Sequence, residues 1–126
     1  FQIYNKRYAS DLWMRNAMVG YDPFRDRGKI LENYVYLELC RQGFDVLIGR
    51  LQTKEIDFIG TKWVSSVYIQ VSYTVWSPDT LARELASLQA VKSDRPKILV
   101  TLDEEGISDG IRIVPAICLE EVLAAL

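Results

Sequence analysis

Two short stretches of this 126-residue chain carry residue types and spacing that chemistry can use. The first is Lys54-Glu55-Ile56-Asp57-Phe58-Ile59, and the second is Tyr68-Ile69-Gln70-Val71-Ser72. Alternate residues of a strand share a face, so Glu55 and Asp57 are expected to point one way and Ile56 and Phe58 the other. In the second stretch Gln70 and Ser72 share the face opposite Ile69 and Val71. Paired as a hairpin, these strands bring Asp57 near Gln70. Carboxylates beside an apolar face are costly unless solvated, paired or bound to a metal. On periodicity alone the favoured reading is an ordinary polar outer face. The sharper reading is an oxygen-lined site for a hard divalent cation.

Composition narrows the classes of function. A chain of this length suits one domain, residues 1–126, with a real core. Hydrophobic residues at 49% and charged residues at 25% are the balance of a globular protein. Apolar runs are strand-length, which argues against a membrane span. The chain has no His, which removes His-based triads, His-ligated zinc and the usual neutral-pH base. Cys40 and Cys118 fall in apolar helical stretches and read as reduced core residues of a cytoplasmic protein. The first residue is Phe rather than Met, and nothing resembles a signal segment, so a fragment of a longer protein is expected. The net charge is −2, and only Lys6, Arg7, Arg15, Arg25, Arg27 and Lys29 could form a basic patch. A scattered solvated surface is the simpler account of them.

The elements that must position these residues can be read in order. A strand tail covers Phe1 to Tyr4, and Ser10 or Asp11 caps a short helix ended by Gly20. Tyr21-Asp22-Pro23 is a turn. Asp26 to Gln42 is the longest helix, with a broad apolar face of Ile30, Leu31, Tyr34, Val35, Leu37 and Leu39 and a stop at Gly43. Strands follow at Phe44 to Ile48, Glu55 to Ile59 and Val67 to Tyr73, with Ser65-Ser66 as the last turn. Ser77-Pro78 opens a helix carrying Leu81, Leu85 and Leu88 on one face. Lys97 to Leu102 and Ile111 to Val114 are strands, and Ile117 to Leu126 a closing helix. Three strands and a helical crossover give an α/β fold, a mixed central sheet flanked by helices.

This order resembles the PD-(D/E)XK nuclease core, the restriction-endonuclease-like αβββαβ arrangement shared by many restriction enzymes and archaeal Holliday-junction resolvases. In that family a strand acid, a Glu-X-Lys on the next strand and often a helical Glu hold a divalent metal. The resemblance sets Asp57 at the strand acid, Gln70 at the acid of the Glu-X-Lys, Ser72 at the lysine and Glu32 at the helical acid. A closer resemblance is to the nuclease-like domain at the C-terminal end of prokaryotic AAA-type P-loop ATPases, a family of unknown function. It rests on Asp11-Leu12-Trp13-Met14-Arg15-Asn16, Gly28-Lys29-Ile30-Leu31-Glu32-Asn33, Val35-Tyr36-Leu37-Glu38-Leu39, Lys54-Glu55-Ile56-Asp57-Phe58 and Tyr68-Ile69-Gln70-Val71.

The resemblance implies an upstream ATPase domain in the same polypeptide, with DNA and further copies of the chain as other partners. The chain contains no Gly-X4-Gly-Lys-Ser/Thr loop, so no ATP site of that type is expected in it. Asp57, Glu32, Glu55 and Gln70 are then the expected ligands of a weak Mg²⁺ or Mn²⁺ site. An amide oxygen at Gln70 adds no negative charge, and Ser72 supplies no cation. The expected state is a degenerate centre with a regulatory, oligomerisation or binding role; the alternative is a metal-dependent DNA endonuclease, with Lys54 or Arg83 supplying the missing cation. Local pairs compete for the same residues: Glu32 with Lys29 or Tyr36, and Glu55 with Lys54 or Lys62. Trp13, Trp63 and Trp76, with Tyr34, Tyr68 and Tyr73, suit base stacking, but their spacing favours packing in the core and its rim. Asp103-Glu104-Glu105-Gly106 reads as an acidic turn.

Overall fold

The computed structural model describes residues 2–4, 27–51 and 54–126. The expected helix after Ser10, the turn at Tyr21-Asp22-Pro23 and the cap at Asp26 lie outside these residues. Among the described residues seven strands form one sheet: β1 (Gln2–Tyr4), β2 (Asp45–Leu51), β3 (Lys54–Lys62), β4 (Ser65–Val71), β5 (Lys97–Thr101), β6 (Gly106–Ser108) and β7 (Ile111–Pro115). Their spatial order is β1-β2-β3-β4-β5-β7-β6. β4, β5 and β7 run parallel, and every other neighbouring pair is antiparallel. The helices are α1 (Arg27–Arg41), α2 (Pro78–Gln89) and α3 (Leu119–Ala124), the last entered through a 3₁₀ turn at Ala116–Cys118. The expected mixed α/β architecture is the observed one.

The parallel strands are buried on both faces, so each divides its side chains between two cores. Ile98 and Val100 of β5 join Leu31, Val35 and Leu39 of α1 and Leu119, Val122 and Leu123 of α3. Leu99 turns the other way, to Leu85 and Leu88 of α2. β4 divides likewise, with Val67 and Ile69 toward α1 and Tyr68 toward α2.

Local chemistry explains where the helices start and stop. Pro78 occupies the first turn of α2 and Ser77 precedes it in an extended conformation, as expected. α1 ends in a Schellman arrangement: Gly43 has φ +88°, its N–H donates to Cys40 O, and Phe44 N–H donates to Leu39 O. Gly60 of β3 has a different reason. A Cβ there would lie 3.1 Å from Val67 Cγ1 and 3.2 Å from Leu39 Cδ2 and Phe44 Cδ1, so the missing side chain lets α1 sit close on the sheet.

Four expectations change. Strict alternation fails in β3, because Leu47 pairs with Ile59 while Gly49 pairs with Ile56. Ile48 therefore faces both Asp57 and Phe58 across a β-bulge. Phe58 goes to the α1 core and Ile56 to the α2 core, not to one face. Secondly, the β3–β4 turn is Trp63-Val64 rather than Ser65-Ser66, since Lys62 pairs with Ser65. Thirdly, β6 was not expected; it turns into β7 through Asp109-Gly110, whose φ values of 50° and 78° suit a two-residue hairpin loop. Lastly, Cys40 is exposed and Cys118 half-buried, because Cys40 lies on the side of α1 away from Leu31, Val35 and Leu39.

Candidate functional site

Ligands of α/β sheets gather at the carboxyl ends of the parallel strands. Here that end carries the last residues of β4, β5 and β7, and also the first residues of β3, which runs antiparallel to β4. The amino end of α1 lies there too, since Arg27 Cζ sits 5.4 Å from the centre of the Tyr73 ring just after β4.

Asp57 and Gln70 meet, as the strand pattern predicts. The β3–β4 backbone ladder reaches its last pair at Phe58 and Ile69. Beyond it, side chains replace the ladder. Asp57 N–H donates to Gln70 Oε1 at 3.0 Å, and Val71 N–H donates to Asp57 Oδ2 at 2.9 Å. Where the β3–β4 ladder ends, the N–H groups of Asp57 and Val71 have no backbone acceptor across the pair, and these two polar side chains satisfy them. Gln70 is buried, and its Nε2 donates to Glu84 Oε2 on α2 at 3.0 Å. The guanidinium of Arg83, exposed itself, reaches the other Glu84 oxygen at 3.4 Å. The result is one polar chain, Asp57, Gln70, Glu84 and Arg83, running from the bulge onto the second helix.

Of the other expected residues, Ser72 lies just past β4. Its N–H donates to Val100 O and its hydroxyl to Thr74 O, so it is engaged in the backbone of the turn. Glu32 lies one helical turn before Tyr36, whose ring centre is 6.2 Å from that of Phe58. Residues four apart share a helix flank, so Glu32 is on the flank of α1 that faces the bulge. Glu55 stands in β3 one residue before Ile56, and Lys54 opens the strand. Among the described residues no group of three or more His, Cys, Asp and Glu is arranged to hold a metal ion.

Glu84 is the site residue that the strand pattern does not mark, although a carboxylate three residues after Leu81 and one before Leu85 interrupts the apolar face of α2. Glu104 belongs to the acidic turn expected at Asp103-Glu104-Glu105-Gly106. Its carboxylate accepts from Val75 N–H at 2.7 Å and Thr74 Oγ1 at 3.0 Å, while its own N–H and C=O bond the Thr101 hydroxyl. The acidic turn thus fastens the loop after β4 to the end of β5. The aromatic residues also divide differently from expectation: Trp63 is 95% and Trp76 83% exposed, whereas Tyr68 packs against the α2 core.

No described helix is long and apolar enough to cross a membrane. An uncharacterized protein of Haemophilus influenzae is 38% identical over 86 residues, 67% of this chain and 21% of that protein. The chain therefore spans about a fifth of the length of the curated relative it matches. No family model matches the chain, and no solved structure does.

Proposed function

We propose that this chain is a nuclease-like accessory domain of a larger prokaryotic AAA-type ATPase, with a degenerate centre and a regulatory, oligomerisation or partner-binding role. The observation that carries this reading is how Asp57 and Gln70 are used. Both bond backbone N–H groups that the end of the ladder leaves open, and Gln70 is further tied to Glu84. Polar groups committed in this way hold two strands together and have less freedom to ligate a cation or orient a water. The serine in place of a lysine points the same way. The much greater length of the Haemophilus influenzae relative supports a place within a longer protein.

One observation favours the second reading, a metal-dependent endonuclease of the PD-(D/E)XK class. Glu84 brings a carboxylate to within 3.0 Å of Gln70, and Arg83 brings a cation beside it. These are the two charges that Gln70 and Ser72 lack. Incubation with supercoiled, single-stranded and branched DNA in Mg²⁺ or Mn²⁺ separates the readings. The accessory reading expects no cleavage of any substrate. Metal-dependent nicking that disappears in Asp57→Ala and Glu84→Gln overturns it in favour of the endonuclease.

A further inference from the structure

β6 is an edge strand with one free side. Its loop to β7 has two residues, Asp109 and Gly110, so Ser108 and Ile111 form the hydrogen-bonded pair that closes the hairpin. Bonded and non-bonded pairs alternate along an antiparallel ladder, which makes Ile107 and Arg112 a non-bonded pair. The N–H and C=O of Ile107 therefore point away from β7, and among the described residues β6 is the last strand on that side of the sheet. Edges of this kind are commonly guarded by lysine or proline. This one carries an isoleucine that is 77% exposed.

Charge selects what can pair there. From Leu102 to Arg112 the chain has Asp103, Glu104, Glu105 and Asp109 against Arg112 alone. Two copies of this edge would set like charges side by side, and a polyanion would be repelled in the same way. The face of the edge adds to the selection. Arg112 shares a face of β7 with Val114, which turns to the α1 and α3 core, and Ile107 lies across from Arg112 on that face. Glu105, Arg112 and Glu121 line an open, largely polar cavity of about 330 Å³ between β7 and α3. Glu105 and Glu121 are exposed, and neither forms an ion pair among the described residues.

We propose that β6 takes a basic, extended segment of a partner protein as a further strand. The backbone of that segment pairs with Ile107, which supplies affinity without regard to sequence. Every second side chain of the added strand falls on the face of Glu105 and Glu121, where lysine or arginine meets the two carboxylates. This surface stands apart from the Asp57 centre, so failure of the proposal leaves the reading of that centre untouched.

Fluorescence anisotropy of a short labelled peptide alternating Lys and Thr, titrated with the whole chain, tests it. The peptide should bind with a Kd below about 1 mM. The same peptide N-methylated along its backbone keeps the charge but loses the donors, and should bind about tenfold more weakly or not at all. Ile107→Pro removes the outward N–H at an edge position that accepts proline, and should weaken binding about tenfold while keeping the circular dichroism. Glu105→Gln combined with Glu121→Gln should weaken it by a similar factor, and a peptide alternating Glu and Thr should not bind. Should Ile107→Pro fail to fold, the N-methylated peptide and the double variant still decide. No binding of the Lys-Thr peptide up to about 1 mM overturns the proposal. Equal binding of the N-methylated peptide does so too, since attraction of charge alone would then explain it. Binding unchanged in the double variant also overturns it, because the peptide would then sit elsewhere.

Discussion

Replacing Gln70 by Glu exchanges an NH₂ for an oxygen at a point 3.0 Å from Glu84 Oε2. The bond from Asp57 N–H to residue 70 can survive the change, but the donor to Glu84 is lost and two carboxylates face each other. At an effective dielectric of about 20, two unit charges at that spacing repel by about 332/(20 × 3.0), or roughly 5–6 kcal/mol. Protonating one of them costs less. At about 1.4 kcal/mol per pH unit above an ordinary Glu value near 4.3, the cost at pH 7 is about 3.7 kcal/mol. The cheaper route prevails, so the pair should hold one proton with a folded pKa raised above the unfolded value. Stability from such a group is fully present below the unfolded pKa and is lost as pH rises through the folded one. Glu84 keeps some solvent contact, at 15% exposure, which trims the expected loss at pH 7 to about 2–3 kcal/mol. Urea unfolding of both proteins at several pH values between about 4 and 8 measures it. The gap should be small near the acid end and widen toward neutrality. A gap that does not change with pH refutes the Gln70–Glu84 contact as drawn.

Two further outcomes follow from hydrogen bonds elsewhere. Burial is the largest influence on the Glu38 carboxyl and pushes it up, but the bonds from Arg41 and Gln42 together outweigh burial and hold it below the usual range. Its contribution is therefore present above the ordinary carboxylate range and fades as pH falls through the folded pKa, so Arg41→Ala should lower the urea midpoint at neutral pH and lose that effect in acid. Glu104→Ala removes charged acceptors from Val75 N–H and Thr74 Oγ1 and should cost about 1–2 kcal/mol in urea unfolding, somewhat below the usual value for charged bonds because the site is partly exposed.

Regular strands were legible in the sequence and irregular ones were not. In β4 the alternation of Tyr68 and Gln70 against Ile69 and Val71 is kept, and the predicted meeting of Gln70 with Asp57 is found. A bulge adds one residue without leaving a compositional mark, so the expected shared face for Ile56 and Phe58 was misjudged. Trp63-Val64 is not a turn dipeptide, whereas Ser65-Ser66 looks like one, and steric preference pointed two residues too far along. Asp109-Gly110 did carry a hairpin signal, but a strand of three residues is too short to show a period. Glu84 was hidden by its place on a helix read for its leucines, since partners across a sheet are a tertiary fact.

The bulge at Asp57 and Phe58 also makes residue count matter more in this strand than residue identity. Upstream of it the odd and even positions of β3 serve one pair of cores, and downstream they exchange roles. Deleting Asp57 would leave Gly49 opposite Ile56, Ile48 opposite Phe58 and Leu47 opposite Ile59, so both halves would keep their cores. A deletion elsewhere in β3 slips part of the strand by one residue and turns its side chains to the wrong face. An added residue in the β5–β6 segment has no comparable effect, because the short edge strand that follows can slide or fray. A scan of one-residue deletions along β3 would therefore show its best-tolerated position at Asp57, flanked by positions where a deletion costs a core.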